Sequence, residues 1–255
     1  MHPIAFHIGG LVIHWYGIMV ALAFLAGLWT ASLRGRRSGF SPETIFDLGP
    51  WLLIGALLGA RIFYVVEYWN ESFAGLPWWE AFMIQHGGLV YYGGLIGAAG
   101  AGIIFVRRRR LPLWKLADVI APSIALGSVL GRIGCLLNGC CYGRVCTEPW
   151  AIHFPLGHET FPDGVHPTEI YDSLLNLGLY LALAWLFRRK KFDGQVFACY
   201  LLGYAVTRSI VESFRGDYPP GNIHFGLTPA QLMGIGIFAA GVVLFAYLSR
   251  MQKRG

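Results

Sequence analysis

Seven apolar stretches, separated by short polar segments, constrain this sequence more than any other feature. They run approximately over residues 11–33, 46–69, 89–106, 117–138, 168–187, 195–213 and 228–248. Each is about as long as the 17 to 25 residues that a helix needs to cross a bilayer. Only 13% of the residues are charged, whereas soluble domains carry about a quarter. The sequence therefore predicts an all-α polytopic membrane protein whose residues 1–255 form a single integral membrane domain of seven transmembrane helices.

The basic residues predict how these helices cross the membrane. Fifteen of the 20 Lys and Arg lie after the first stretch, between the third and fourth, between the fifth and sixth, and after the seventh. Lys and Arg accumulate on the cytoplasmic side of membrane proteins, which predicts an exterior N-terminus and a cytoplasmic C-terminus. The net charge of +6 is thereby assigned to cytoplasmic loops, and we expect no nucleic-acid partner.

Two connections on the predicted exterior side are long enough to hold structure of their own. Residues 70–88 contain Trp78, Trp79 and Phe82, which are typical of a helix that lies at the membrane interface. Residues 139–167 are rich in Gly, Pro and His and predict a small exterior cap. The first ten residues lack the basic start of a cleavable signal, so we expect no cleavage there.

Arginine occurs inside three of the predicted helices, where a charge at the bilayer centre costs about 2.5 to 3.5 kcal/mol on insertion scales. Arg61, Arg132 and Arg208 all fall in the halves of their helices that lie nearer the exterior. Glu67 is the one carboxylate in the outer half of the helices that carry Arg61 and Arg132. Arginine thus outnumbers acid deep in this layer, which predicts that an anion enters from outside the chain.

The sixth stretch concentrates this polarity on one face. Tyr204, Arg208, Glu212 and Arg215 are spaced to form a single stripe at the helical period. Arg208 and Glu212 alone would be explained by an ion pair that joins helices, but that pair leaves Arg61 and Arg132 unexplained. Arginine binds phosphate through bidentate hydrogen bonds, and the anion available at this depth is a phospholipid head group.

Four cysteines, Cys135, Cys140, Cys141 and Cys146, cluster at the exterior end of the fourth stretch. Their spacing matches no standard zinc arrangement, so we predict no metal. An oxidising exterior favours a disulfide between Cys146 and either Cys140 or Cys141. Cys135 is best interpreted as a small residue that fills a tight turn.

Several motifs together resemble the prolipoprotein diacylglyceryl transferase family over nearly the whole chain. They are HWYGIM (14–19), GARIFYVVEY (59–68), GGLVYYGGLIG (87–97), GRIGCLLNGCCYG (131–143), HPTEIYD (166–172) and YAVTRSIVESFR (204–215). The resemblance implies a bacterial enzyme of the plasma (inner) membrane that acts in lipoprotein biosynthesis. It would transfer the diacylglyceryl group of phosphatidylglycerol to the lipobox cysteine of prolipoprotein signal peptides, without a cofactor.

The resemblance also implies roles for individual residues. Arg132 and Arg208 would bind the phosphate and stabilise the leaving group, while Glu212 would orient Arg208. The other expected contacts to phosphatidylglycerol are Arg61, Tyr16, Tyr204, Asn138, Gly143 and His166.

This sequence departs from the family pattern where a base is needed. Many members have a histidine before GGLIG that is proposed to take the thiol proton, and here that position is Tyr92. Tyr92 is a predicted catalytic residue beside Arg132, Arg208 and Glu212, but a phenol is a weak base unless arginines assist it, so the identity of the base stays open. His86 and His166 are alternatives. Cys135 and Cys140 replace the usual Asn and Glu of the family signature.

A transporter or channel for an anion or lipid is the competing interpretation, since it also uses buried arginines. Such a protein needs polar residues along a path to the cytoplasmic side. The cytoplasmic halves of the seven stretches are apolar apart from Asp47 and Asp118 at their starts, which favours the transferase.

Overall fold

The computed structural model describes residues 3–9, 11–83, 87–215 and 227–252. Within these ranges the chain forms seven long α-helices, which coincide with the seven predicted stretches. Their bounds are α1 Trp15–Arg37, α2 Pro42–Glu67, α3 Tyr91–Arg108, α4 Leu113–Asn138, α5 Thr168–Phe187, α6 Gln195–Glu212 and α7 Pro229–Gln252.

The structure corrects the all-α prediction at two places. Leu11–His14, assigned to the first transmembrane stretch, form strand β2, which pairs antiparallel with β1 (Ile4–Ile8). Pairing with β1 holds these residues in an extended conformation, and the helix begins only at Trp15. In the predicted cap, β3 (Ile152–His153) pairs with β4 (Gly164–Val165).

Length and composition make five of the helices candidates to cross a membrane: α1, α2, α4, α5 and α7. Large apolar side chains lie exposed on their outer faces, among them Leu25, Val66, Leu174 and Val243, each at least 60% exposed. Apolar surface on this scale is stable against lipid rather than water. The five helices therefore suit a polytopic membrane protein. The helices α3 and α6, with 18 residues each, are not among these candidates.

The chain divides into two compact units, one of residues 32–116 and one of residues 1–31 with 117–255. In the first unit, α2 and α3 pack through glycines. A Cβ on Gly55 would meet the Gly97 carbonyl oxygen at 2.6 Å, and one on Gly59 would meet the Gly97 Cα at 2.8 Å. Since lipid gives little driving force for helix association, such small-residue interfaces supply close van der Waals packing instead.

In the second unit, Asp118 joins the start of α4 to the start of α6. Its fully buried carboxylate accepts hydrogen bonds from Lys190 Nζ at 2.9 Å and from the backbone N–H groups of Gly194 and Phe197 at 2.8 and 3.0 Å. Burial opposes the charge on Lys190, but hydrogen bonds to Asp193 and Asp118 outweigh it and raise the pKa of the ammonium. Asp118 thus caps the α6 N-terminus.

The two predicted exterior segments are structured where they are described. The segment 70–88 contains a π-helical turn (Trp69–Phe73) and a 3₁₀ helix (Trp78–Phe82), with Trp78 and Phe82 more than 70% exposed. Short helical pieces therefore replace the single interfacial helix. The cap, residues 139–167, is irregular apart from β3 and β4, and its Val145 also bridges to Val165.

Candidate functional site

Arg208 is held on α6 by Glu212 one turn later, at 2.6 Å between Nη2 and Oε2. Thr228, just before α7, donates its hydroxyl to the other carboxylate oxygen of Glu212 at 3.0 Å. Glu212 is therefore fixed from two sides. Within the part of the chain that the structure describes, Arg208 Nη1 is buried and has no hydrogen-bond partner. A buried guanidinium donor of this kind is costly unless an acceptor arrives.

The stripe predicted on α6 is confirmed in part. Tyr204 and Arg208 are partly buried and Glu212 is fully buried. Arg215 lies beyond the end of the helix, because α6 ends at Glu212. The Tyr204 ring packs against that of Tyr200, with centroids 6.0 Å apart. The stripe along the helix therefore ends at Glu212, and the prediction that it continues to Arg215 was wrong.

Arg132 on α4 forms an ion pair with a neighbouring helix. Its Nε lies 2.7 Å from Asp172 Oδ2 on α5, and Asn176 Nδ2 donates to Asp172 Oδ1 at 2.6 Å. Counting only the acids on the helices that carry Arg61 and Arg132 missed this partner, because Asp172 lies on α5. Glu169, Asp172 and Asn176 stand at i, i+3 and i+7, and this polar face on an apolar helix was the signal that the sequence offered.

Arg132 and Glu169 line a small cleft of about 120 Å³ between α4 and α5. The remaining lining residues are Ile133, Leu136, Ile170, Ser173 and Leu174. Glu169 is 1% exposed, and among the described residues neither of its carboxylate oxygens has a hydrogen-bond partner. Buried carboxylates are normally paired, so Glu169 is a functional candidate that the site prediction had omitted.

The remaining predicted contacts of this unit lie around the C-terminal end of α4. Tyr16 on α1 packs beside Gly134, where a Cβ would lie 3.4 Å from the Tyr16 ring and 3.0 Å from the Met19 Cβ. Asn138 is the last residue of α4 and is exposed.

Gly143 and His166 belong to the junction between the cap and α5. A Cβ on Gly143 would meet the Phe214 carbonyl oxygen at 2.6 Å and the His166 Cβ at 2.8 Å. The Gly143 N–H donates to the His166 carbonyl at 2.9 Å. The His166 ring lies 3.2 Å from the Tyr171 hydroxyl through Nδ1. Gly143 is thus required by packing.

The cysteines differ from the prediction. All five cysteines are free thiols, so the expected Cys146 disulfide is absent, and the sulfur atoms of Cys135, Cys140 and Cys141 lie within 4.8 Å of one another. Hydrogen bonds from the Cys135 and Cys140 thiols lower the pKa of Cys141, and Arg132 and Arg215 act in the same direction. Cys135 therefore belongs to a thiol cluster rather than merely filling a turn.

Arg61, in the unit of residues 32–116, has a different environment. Its guanidinium donates to the backbone carbonyls of Ala81 at 2.7 Å, Gly87 at 2.5 Å, Gly88 at 3.1 Å and Glu80 at 2.8 Å. Glu80 and Ala81 belong to the 3₁₀ helix, and Gly87 and Gly88 belong to the segment that follows it. Arg61 thereby fixes that segment to α2.

Tyr92 lies in the first turn of α3 in the same unit, where it is 49% exposed and contacts the ring of Tyr91. The alternative base His86 lies outside the described residues.

A family model described as prolipoprotein diacylglyceryl transferase matches residues 3–247. A protein of Synechococcus elongatus named phosphatidylglycerol–prolipoprotein diacylglyceryl transferase is 37% identical, over 98% of this chain and 89% of its own length. Proteins of the same name from Chromohalobacter salexigens and Finegoldia magna are each 36% identical, over 97% and 96% of this chain and 92% and 94% of theirs.

Proposed function

Because this chain belongs to the prolipoprotein diacylglyceryl transferase family, we propose that it transfers the diacylglyceryl group of phosphatidylglycerol to the lipobox cysteine of prolipoproteins. The chain is a transferase and a multi-pass bacterial membrane protein. The names of its relatives favour transfer over the competing transporter interpretation. The single observation that carries the proposal for the site is the buried, unpartnered Nη1 of Arg208.

The reaction exchanges one bond for another. The bond between the glyceryl carbon and a phosphate oxygen breaks, a thioether forms between that carbon and the cysteine sulfur, and glycerol phosphate leaves. The thiol proton passes to a base. The site must stabilise the negative charge on the departing phosphate. Fixed donors aimed at such charge act most strongly in a site that excludes water.

Arg208 is the residue best placed to supply those donors. Glu212, which Thr228 holds in place, pairs with its Nη2, so its Nη1 N–H groups are oriented before lipid arrives. Arg132 contributes in the same way, since Asp172 pairs with its Nε and Arg132 lines the cleft beside Glu169. Tyr16, Tyr204, Asn138, Gly143 and His166 complete the proposed lipid contacts. The prediction that Arg61 also binds phosphate stays a prediction, and its four backbone hydrogen bonds support a structural role.

Glu169 is the group that we favour as the acceptor of the thiol proton. Its carboxylate is buried, unpartnered among the described residues, and lines the cleft with Arg132. The predicted base Tyr92 and the alternative His166 are weaker candidates, since Tyr92 is half exposed and His166 already contacts Tyr171. A carboxylate can remove a proton at neutral pH whereas a phenol rarely does.

The placement of the basic residues supports seven crossings, with an exterior N-terminus, a cytoplasmic C-terminus and a site in the outer-leaflet half of the inner membrane. In that orientation the exterior ends of α4, α5 and α6 carry Arg132, Glu169 and Arg208, respectively.

Mass spectrometry of a lipobox peptide tests the proposed function. The peptide is incubated with purified protein and phosphatidylglycerol in lipid vesicles. We expect the mass of one diacylglyceryl group on the cysteine and an equal amount of glycerol phosphate, both lost in Arg208→Ala and Arg132→Ala. Peptide that stays unmodified with folded wild-type protein would refute the proposal.

A further inference from the structure

Three thiols at the exterior end of α4 form a cluster for which the transfer reaction has no use. The sulfur atoms of Cys135, Cys140 and Cys141 all lie within 4.8 Å of one another and are half-buried. In a trigonal site with metal–sulfur bonds of about 2.3 Å, the sulfur atoms would be about 4 Å apart. The cluster therefore has to contract by less than about 1 Å to bind an ion.

The backbone holds these thiols together before any ion binds. Gly139, with φ of 75°, ends α4, and Cys141 has a positive φ of 72°, which non-glycine residues seldom adopt. The Cys140 N–H donates to the Cys135 carbonyl at 3.1 Å. The Cys141 carbonyl accepts the buried hydroxyl of Thr168 at 2.6 Å. The reversal after the helix thus returns Cys140 and Cys141 to the last turn, beside Cys135.

The donor set selects one class of ion. All three ligands are sulfur, and no fourth His, Cys, Asp or Glu among the described residues joins the group. His158 is close, but its Nε2 contacts the Gly139 carbonyl at 2.9 Å and its Nδ1 contacts Thr160 at 2.9 Å. Structural zinc takes four protein ligands, whereas thiolates select soft Cu(I), which accepts three.

Charge also suits a thiolate site. Three thiolates with one Cu(I) carry a net charge of −2, which would be costly in a half-buried place without compensation. Arg132 and Arg215 lie near enough to interact electrostatically with Cys141. Arg215, together with Arg132, whose charge is shared with Asp172, thus offsets part of the negative charge.

We propose that Cys135, Cys140 and Cys141 form a binding site for a soft, thiophilic monovalent metal ion, Cu(I), at the exterior end of α4. None of the three ligands is a proposed phosphate-binding residue, and the proposal does not rest on the transferase activity.

Competition for Cu(I) tests the site. The full-length protein, purified in detergent, reduced and kept anaerobic, is titrated with Cu(I) in the presence of the coloured chelator bicinchoninate. We expect one ion per chain to be withdrawn from the chelator. Loss of an outer-shell contact alone weakens metal binding by about 10- to 100-fold, so Cys135→Ser, Cys140→Ser and Cys141→Ser should each weaken it by at least about 100-fold. Cys199→Ser, on α6, is the matched control and should bind as the wild type does.

X-ray absorption of the wild-type protein loaded with Cu(I) keeps the test independent of variant folding. Three sulfur neighbours and no nitrogen are expected. The proposal is overturned if the chelator retains all the copper, if the Cys199→Ser variant loses binding as the cluster variants do, or if the spectrum shows nitrogen or oxygen ligands. A disulfide within the trio that forms in air and survives mild reductant, with no copper bound, would also overturn it.

Discussion

Arg61 and Arg208 both lie inside long apolar helices, where an arginine is costly, yet the two regions satisfy them in different ways. Four backbone carbonyls surround the guanidinium of Arg61. Arg208 is held on one side by Glu212 and keeps a buried donor without a partner among the described residues. The first arrangement organises the polypeptide, and the second is incomplete until an acceptor binds. A charge within a membrane helix therefore indicates a binding site only when its local hydrogen bonds are counted.

The largest expected effect is on transfer by Arg208→Lys. Lysine keeps the positive charge but loses the planar set of donors, so we expect the rate to fall by about 1,000-fold, as for loss of a donor to a developing oxyanion. Transfer to the lipobox peptide measures the change. Arg250→Lys, at the exposed end of α7, is the control and should keep the full rate. A loss below tenfold would show that Arg208 does not carry the phosphate.

Glu169→Gln is expected to reduce transfer by about 100-fold, the lower range for removal of a general base. The decline in rate toward low pH, which reports protonation of the base, should disappear in the variant. Because the substitution removes an unpartnered buried carboxylate, thermal stability should not fall. Glu71→Gln, an exposed carboxylate in the other unit, serves as control. If Tyr92→Phe lowered the transfer rate by 100-fold and Glu169→Gln left it unchanged, Tyr92 rather than Glu169 would be the base.

Arg61→Lys should act on stability instead. A lysine cannot replace four hydrogen bonds, and orphaned carbonyls are costly, so we expect a loss of about 3 kcal/mol in the free energy of unfolding. Denaturation in detergent measures it. Transfer per folded molecule should stay within about threefold of the wild type, a difference of under 1 kcal/mol in activation free energy. A stable variant that has lost transfer would move Arg61 into the phosphate site.

The smallest expected effect concerns the glycines through which α2, the helix of Arg61, packs on α3. Gly59→Ala places a methyl group against the Gly93 carbonyl and the Gly97 Cα, and we expect a loss of about 2 kcal/mol, as for other overpacked interiors. Gly100→Ala on α3 is the matched control, because a Cβ there meets nothing within 4 Å and alanine favours the helix. Equal melting temperatures for the two variants would contradict close packing of α2 on α3.

The sequence predicted the helices well because length and apolar composition alone determine them, and all seven stretches coincide with helices of the described chain. It predicted Glu212 as the partner of Arg208, and the two form an ion pair, but it could not predict the partners of Arg61 and Arg132. Arg61 is satisfied by carbonyls of the segment around the 3₁₀ helix, and carbonyls leave no trace in residue identity. Asp172 meets Arg132 only because α4 and α5 are neighbours, which spacing within one helix does not show. The same holds for Cys135, which joins Cys140 and Cys141 through the chain reversal at Gly139.

Native mass spectrometry of bound phosphatidylglycerol tests most directly whether Arg208 binds the lipid while Arg61 only stabilises the fold, because it needs no turnover. Wild type, Arg208→Lys and Arg61→Lys are compared at equal lipid concentration in the same detergent. The account predicts that occupancy falls sharply in Arg208→Lys and stays at the wild-type level in folded Arg61→Lys. Loss of lipid from Arg61→Lys, with Arg208→Lys still occupied, would contradict it.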